Sequence, residues 1–282
     1  MFSLVLLPAN TVSIVMRECQ HTGRTELNEL LSDVTTEIVI AASMWALSLF
    51  FPFRRLNAPR EYRLDTIAVL LAAIFGVIAA FALATGFDLL QPALNGLRAN
   101  IAAWPPFAVV IGFVLTADCT SYWAHRLLHT KALWHTHAFH HSSQHLYVLS
   151  GLRGSFVHVL ALFSGPLFAL YLFPVYQWPG ALAVITVSQV ANQHYTHSNI
   201  RLPWSNIIEL LFVTPRYHFV HHSVDRRLSN TNFGFLLTVW DRLFGTYSDP
   251  SQVAVDEPLG LDYENSRWRL AVGLPPGPKR LS

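Results

Sequence analysis

The sequence has few charged residues and almost no cysteine, and these shortages exclude several classes of protein. Only 13% of the 282 residues are charged, whereas 52% are hydrophobic, a balance that soluble domains of this length rarely show. The two cysteines, Cys19 and Cys119, lie far apart, so the sequence does not predict a disulfide framework. A net charge of +2 without a run of basic residues gives no indication of a nucleic-acid partner.

Long apolar runs predict an all-α protein embedded in a membrane. Residues 66–87 form an uncharged run of 22 residues, which as a helix would cross a hydrocarbon core of about 30 Å. Residues 38–53 and 104–123 predict two further spans, and the uncharged residues 154–200 predict a helical hairpin that turns near Pro174 and Pro179. The expected fold is therefore an integral-membrane helical bundle of about four to five spans.

Basic residues predict the side of the membrane that each loop faces. The loop after the first span contains Arg54, Arg55, Arg60 and Arg63, whereas the loop before the third contains only Arg98. Because cytoplasmic loops are enriched in arginine and lysine, the first loop is expected in the cytosol. Alternating the spans brings every histidine-rich segment to the same side. We therefore expect a multi-pass protein whose histidine-rich cap faces the cytosol.

Histidine is concentrated in one part of the chain. Thirteen of the fourteen histidines fall between residues 125 and 222, and eight of them form one His-x3-His and two His-x2-His-His clusters. Residues three or four apart share a helix face, so each cluster is expected to direct its rings at one ion. The same 98 residues contain one carboxylate, Glu209, and no cysteine. The expected site is thus rich in nitrogen ligands, which suit iron, zinc, copper or nickel.

The residues around the clusters carry a family resemblance. In chain order the motifs are Asp118-x3-Tyr122-Trp-Ala-His125-Arg-x2-His129, Trp134-His-x-His137-x2-His140-His141-Ser-Ser, His197-Ser-Asn, Thr214-Pro-Arg-Tyr-His218-x2-His221-His222-Ser, Asn232-Phe-Gly and Trp240-Asp-Arg-Leu-Phe-Gly-Thr-Tyr. In type, order and spacing they resemble the fatty acid hydroxylase superfamily, also called the sterol desaturase family, over residues 107–247. The resemblance implies a membrane-embedded helical bundle with a cytosolic cap that holds two metal ions.

The resemblance also implies an activity and a set of ligands. Members use O2 and two electrons to hydroxylate or desaturate an unactivated C–H bond of a lipid, and we prefer the monooxygenase outcome. The implied cofactors are two iron ions, which zinc can replace, and the electrons are expected from a separate cytochrome, ferredoxin or reduced pterin. Between the second and third clusters His197 is preferred as a ligand and His194 is its alternative. The implied metal ligands are His125, His129, His137, His140, His141, His197, His218, His221 and His222, with His194 as the tenth candidate.

Other residues receive weaker assignments. Asp118 lies seven residues before His125 on the same helix face, so it is a candidate acceptor for a histidine N–H. His158 stays open between a core residue and a further ligand, whereas His135 and His145 break the cluster spacing and are expected outside the ligand set. Three arginines are expected at the membrane surface, where arginine side chains reach lipid phosphates, and three polar residues are expected to stabilise the cap by hydrogen bonds. These are Arg126, Arg153 and Arg216, and Asn230, Asn232 and Asp241.

The chain is expected to divide into three parts: an N-terminal membrane region (1–103), a fatty acid hydroxylase-like catalytic domain (104–248) and a polar tail (249–282), which either covers the cytosolic face or trails into disorder.

Two other functions compete with the lipid oxidoreductase. A membrane heme protein would pair single histidines on facing helices, whereas these clusters crowd several together, and a metal transporter would place histidines along the spans instead of at their ends. The stretch 141–153 is similar to alkylglycerol monooxygenases. This resemblance adds ether lipids as candidate substrates and a pterin as a candidate reductant.

Overall fold

The computed structural model describes residues 25–55, 61–263 and 265–277, without the side chains of residues 25–33. Within these ranges the chain is helical and has three isolated β-bridges but no strand, which confirms the all-α expectation for them. Cys19 and His21 lie outside the described residues. The helices are α1 (Thr25–Phe50), α2 (Tyr62–Ala102), α3 (Pro106–Leu128), α4 (Trp134–His137), α5 (Phe156–Leu172), α6 (Pro179–Thr196), α7 (Ser205–Ile208), α8 (Pro215–His221), α9 (Arg226–Ser229), α10 (Val239–Leu243) and α11 (Arg267–Ala271).

Two of these helices, α2 and α3, are long and apolar enough to cross a membrane. α2 has 41 residues and is about 61 Å long, so it continues through residues 88–102, where a loop containing Arg98 was expected. That expectation is wrong because strong helix formers such as Leu90 and Ala93 carry the helix past Pro92. The shorter apolar helical stretches are Val34–Phe50 and Phe156–Leu172. The number of membrane crossings stays a prediction.

The expected helical hairpin is present as α5 and α6, which are joined by a turn containing Pro174. α5 packs closely against α3 at Gly165, where an added Cβ would lie 2.7 Å from Thr120 Oγ1 and 2.8 Å from Ser121 Oγ. A side chain at this position would therefore push the two helices apart. Toward the far end of both helices the core contains Val109, Phe113, Ala117, Ala169, Leu170 and Phe173.

Several helix ends meet at one end of the bundle. Phe53, just after α1, donates its backbone N–H to Asn199, just after α6, at 2.9 Å. Asp65 in the first turn of α2 pairs with Arg153, which lies three residues before α5. The C-terminal end of α3 carries His125. The described residues between the two helices, 51–55 and 61, and the histidine segments therefore lie at the same end.

The C-terminal tail packs over this histidine-bearing end as far as it is described. Leu270 and Ala271 of α11 are buried against Ala138 and Phe139, between the histidines of the second cluster. In the same region Trp134 Nε1 donates to the Tyr263 hydroxyl at 3.1 Å. Residues 249–263 and 265–277 therefore do not trail away from the bundle.

Candidate metal centre

Nine of the ten predicted ligands meet in two buried groups. Within each group the ligand nitrogen atoms all lie within 4.8 Å of one another. The first group contains His125, His129, His137, His141 and His221, and the second contains His140, His197, His218 and His222. All nine rings are shielded from solvent, with at most 8% of each residue exposed.

The two His-x2-His-His clusters are divided between the groups, so the expectation that each cluster serves one ion does not hold. In the second cluster His137 and His141 face the first group, while His140 faces the second. The third cluster does the reverse, because its first and last histidines join the second group and His221 joins the first. Neighbouring residues on a helix point about 100° apart, whereas residues four apart share a face. Each cluster can therefore contribute to both groups.

Backbone carbonyl groups orient four of the rings. In each of these rings Nδ1 faces a carbonyl oxygen, so it must carry the proton and donate it, and Nε2 keeps its lone pair. The pairs are His125 with Phe233 at 3.0 Å, His140 with Arg153 at 3.1 Å, His197 with Gln193 at 3.0 Å and His221 with Thr231 at 2.8 Å. Such contacts fix the tautomer and orientation that a metal ligand needs.

The resulting lone pairs fit a bound cation. His140 Nε2 and His197 Nε2 lie 3.2 Å apart, and neither has a proton to donate when both Nδ1 atoms donate to carbonyl groups. Burial lowers the pKa of His140 well below its usual value and that of His197 to about 4, so both rings are neutral at pH 7. His129 Nε2 and His221 Nε2 are also buried without a hydrogen-bond partner among the described residues. A positive ion between these nitrogens would satisfy them.

The spacing of the nitrogens also fits metal coordination. Neighbouring Nε2 atoms are 3.1 and 3.2 Å apart in the first group and 2.9 to 3.2 Å apart in the second. Octahedral ligands about 2.1 Å from an ion would be about 3.0 Å from their neighbours. The donors in both groups are imidazoles, which suit iron, zinc, copper or nickel.

Asp118 contacts a different part of the chain from the one expected. Its carboxylate accepts hydrogen bonds from Leu236 N at 2.8 Å, Leu237 N at 3.0 Å and Trp240 Nε1 at 2.8 Å. Seven helical residues separate it from His125 by about 10.5 Å along the axis, which is too far for contact with that ring. Among the described contacts Asp118 therefore anchors residues 236–240 and does not orient a histidine.

His194 and His158 also differ from the rest of the expected set. His194 lies outside both groups, and its Nε2 is 3.1 Å from Glu37 Oε1. His158, left open by the sequence, has its Nδ1 2.7 Å from His137 Nδ1, so it contacts a first-group histidine without belonging to that group. His145 is buried but outside both groups.

The expected surface arginine Arg153 is instead buried. Its side chain is 1% exposed, and its Nε lies 2.5 Å from Asp65 Oδ1 and its Nη2 3.1 Å from Glu61 Oε2. The expectation of a phosphate contact is wrong for this residue because two carboxylates from around the start of α2 surround its charge. Sequence reasoning missed Asp65, since 88 residues separate it from Arg153.

The expected cap-stabilising residues do make hydrogen bonds there. Asp241 accepts from the backbone N–H groups of Phe233 and Gly234 at 2.8 and 2.6 Å. This contact holds the segment whose Phe233 carbonyl orients His125. Asn230 Oδ1 lies 3.3 Å from His129 Nδ1. The cap residues therefore support the rings from behind.

An apolar cavity adjoins the histidines. A small chamber of about 20 Å³ is lined by His125, His140 and other rings of both groups. A larger cavity of about 130 Å³ shares four wall residues with it, His158, Leu162, Gln193 and Phe235. An aliphatic chain in the larger cavity could thus approach both histidine groups.

Fold and site together define a helical protein with apolar helices of membrane-spanning length and two buried histidine groups that suit metal ions. Residues 110–246 match the family model described as fatty acid hydroxylase. This match shows a fatty acid hydroxylase domain in residues 110–246 and confirms the resemblance read from the motifs.

Several curated proteins are similar to this chain. Ornithine lipid hydroxylase OlsE of Rhizobium tropici is 35% identical over 190 residues, which cover 62% of this chain and 54% of that protein. Alkylglycerol monooxygenase of Homo sapiens is 29% identical over 54% of this chain and 32% of that protein. Very-long-chain aldehyde decarbonylase GL1-8 of Oryza sativa is 31% identical over 55% of this chain and 58% of that protein. The chain thus spans about half or less of the first two, and no solved structure matches it.

Proposed function

We propose that this protein is an integral-membrane oxidoreductase that uses O2 and two iron ions to hydroxylate a C–H bond of a lipid. The observation that carries the proposal is the convergence of nine buried histidines in two groups beside an apolar cavity. The names of two relatives, an ornithine lipid hydroxylase and an alkylglycerol monooxygenase, support a lipid substrate and hydroxylation over desaturation.

The five histidines of the first group would hold one ion and the four of the second group the other. Iron supplies the O2 chemistry that attack on an unactivated C–H bond requires, and zinc can occupy the same nitrogen ligands. The overall reaction consumes the lipid C–H bond, one O2, two electrons and two protons, and it yields the lipid alcohol and one water. The electrons come from a separate donor, either a cytochrome, a ferredoxin or a reduced pterin.

The residues of the chain would hold the substrate and keep water away. Leu162 and Phe235 line both the histidine chamber and the larger cavity, so an aliphatic chain packed against them would lie beside the rings. The polar groups behind the rings, such as the carbonyl of Arg153 at His140, preserve the ring orientation while substrates exchange.

Membrane insertion forms part of the proposal. α2 presents an outward surface of exposed apolar side chains, which suits contact with lipid. They are Ile67, Leu70, Ile74, Val77, Ile78 and Phe81. Arg54, just after α1, lies at the histidine-bearing end, where its backbone N–H donates to Asn199 Oδ1 at 3.1 Å, so the positive-inside rule supports a cytosolic location for the histidines. We retain the division into residues 1–103, 104–248 and 249–282.

A heme protein fits these features less well. A heme held by two histidines needs room for a porphyrin, whereas the chamber lined by the histidines has a volume of about 20 Å³. A metal transporter would need polar groups along its path, whereas the larger cavity is lined mainly by apolar side chains. The oxidoreductase accounts for both the crowded rings and the apolar cavity.

Lipid analysis with metal analysis tests the proposal. Purified full-length protein should contain two metal ions per chain, with iron in the active form. Lipids from cells expressing the gene should include species that have gained one oxygen atom, compared with lipids from cells without it. A loss of two hydrogen atoms would indicate desaturation instead. The proposal fails if iron-loaded protein with reductant leaves the lipids unchanged, or if the optical spectrum shows a heme Soret band.

A further inference from the structure

One polar pair that lines the apolar cavities belongs to neither of the two histidine groups. Glu37 Oε1 of α1 lies 3.1 Å from His194 Nε2 of α6. The His194 side chain is 2% exposed and that of Glu37 is 27% exposed. Glu37 lies outside the residues matched by the family model. The pair therefore requires an explanation other than metal binding.

The pair lies where two cavities meet. An outer cavity of about 330 Å³ lies between α1 and α2, and its apolar walls include Val34, Ile38 and Val77. Ile38 is 60% exposed and Val77 is 48% exposed, so this cavity reaches the apolar outer surface. The outer cavity shares four wall residues with the cavity of about 130 Å³ beside the histidines. These residues are Glu37, Ala72, Leu152 and Phe163. A lipid could therefore pass from the outer surface, beside Glu37, toward the metal centre.

The hydrogen bonding of the pair indicates what it would bind. With His194 Nε2 donating to the Glu37 carboxylate, His194 Nδ1 is left as an acceptor, and it is buried without a partner among the described residues. Leaving a buried acceptor unsatisfied is unfavourable, and a donating ligand would remove this cost. The carboxylate also accepts hydrogen bonds. Both groups thus favour a ligand that carries N–H or O–H donors.

We infer that Glu37 and His194 bind the donor-bearing head group of a lipid substrate, an amine, an amide N–H or a hydroxyl. This inference rests on the proposed function. His194 lies three residues before His197, about 4.5 Å along the helix, so the bound head group would be about one turn from the second histidine group. The oxidised carbon would then lie within a few bonds of the head group and not far along an aliphatic tail.

Lipid binding to the detergent-solubilised full-length protein tests the inference. The probes are ornithine lipid, which carries amine and amide donors, and phosphatidylcholine with matched acyl chains, which has no N–H or O–H donor. When the two lipids are mixed in equal amounts, native mass spectrometry should show at least about tenfold more wild-type protein with bound ornithine lipid than with bound phosphatidylcholine. Glu37→Gln and His194→Phe should each reduce this preference to near one without changing the metal content.

The exposed carboxylate variant Asp225→Asn is the matched control and should keep the wild-type preference, because Asp225 pairs with Arg227 outside the cavity. If one cavity variant loses its metal, the other decides. No preference in wild type, or an unchanged preference in the intact cavity variants, would overturn the inference. Selective binding without any lipid oxidation would refute the proposed function alone, whereas oxidation far along the tail with unchanged binding in Glu37→Gln would refute this inference alone.

Discussion

Replacing Asp65 by asparagine should destabilise the histidine-bearing end of the protein. Asp65 is fully buried, and its carboxylate accepts hydrogen bonds from Arg153 Nε at 2.5 Å and from the Tyr147 hydroxyl. The variant leaves the buried guanidinium with Glu61, 28% exposed and 3.1 Å from Nη2, as its carboxylate partner. Because the Arg153 carbonyl orients His140, a displaced Arg153 should also weaken metal binding.

The size of the effect follows from burial. Removing one partner of a buried ion pair costs about 3–5 kcal/mol, and we expect about 3 kcal/mol because Glu61 remains. In chains of roughly this length each kcal/mol shifts Tm by about 2–4 °C, which gives a decrease of roughly 6–12 °C. Tryptophan fluorescence of the detergent-solubilised full chain, heated at one fixed rate, would measure it.

Two comparisons separate this explanation from a general loss of charge. Asp225→Asn breaks an exposed pair with Arg227, whose side chain is 90% exposed, and should leave Tm close to that of wild type because exposed ion pairs contribute little to stability. The double variant Asp65→Leu with Arg153→Met removes both buried charges and should recover much of the lost stability. The reasoning is refuted if Asp65→Asn lowers Tm no more than Asp225→Asn does.

Two further predictions concern the ligands and the topology. His140→Ala and His221→Ala should each abolish turnover and reduce the bound metal, because losing a ligand lowers activity by more than the roughly 10- to 100-fold seen when a residue supporting a ligand is replaced. His145→Ala should retain most activity. Near-normal turnover in His140→Ala at matched expression would contradict the metal site. With Cys19 and Cys119 replaced, cysteines introduced by Lys131→Cys and Asp225→Cys should react with a membrane-impermeant label from the cytosolic side, and labelling from opposite sides would disprove the topology.

The spacing of histidines predicted which residues would come together but not how they would be divided. Short spacings such as His137-x2-His140 place rings on one stretch of chain, so their proximity follows from local geometry. The assignment of His140 to one group and His141 to the other depends on how the second cluster packs against residues 218–222, where His141 and His222 have ring centroids 4.4 Å apart. Such contacts are tertiary, and the spacing of residues in a single sequence does not reveal them.

The charged residues were the hardest to predict from the sequence. Arg153 follows an apolar stretch and resembles a surface arginine until Asp65 is found beside it, 88 residues away. Asp118 shares a helix face with His125, but the two residues are two helical turns apart along the axis, which is too far for their side chains to contact. For both residues the local pattern did not reveal the partner, because a distant segment of the chain supplies it.

These distant partners mean that the site extends beyond the family-matched residues 110–246. That segment supplies all nine grouped histidines, but Asp65 of α2 holds the Arg153 whose carbonyl orients His140. On the other side α11 buries Phe139 between the second-cluster histidines. The ligands are thus encoded locally, whereas their rigidity depends on residues before and after them. A fragment limited to residues 110–246 would keep the imidazoles and lose the contacts that aim them, so metal binding and lipid oxidation have to be measured on the full chain.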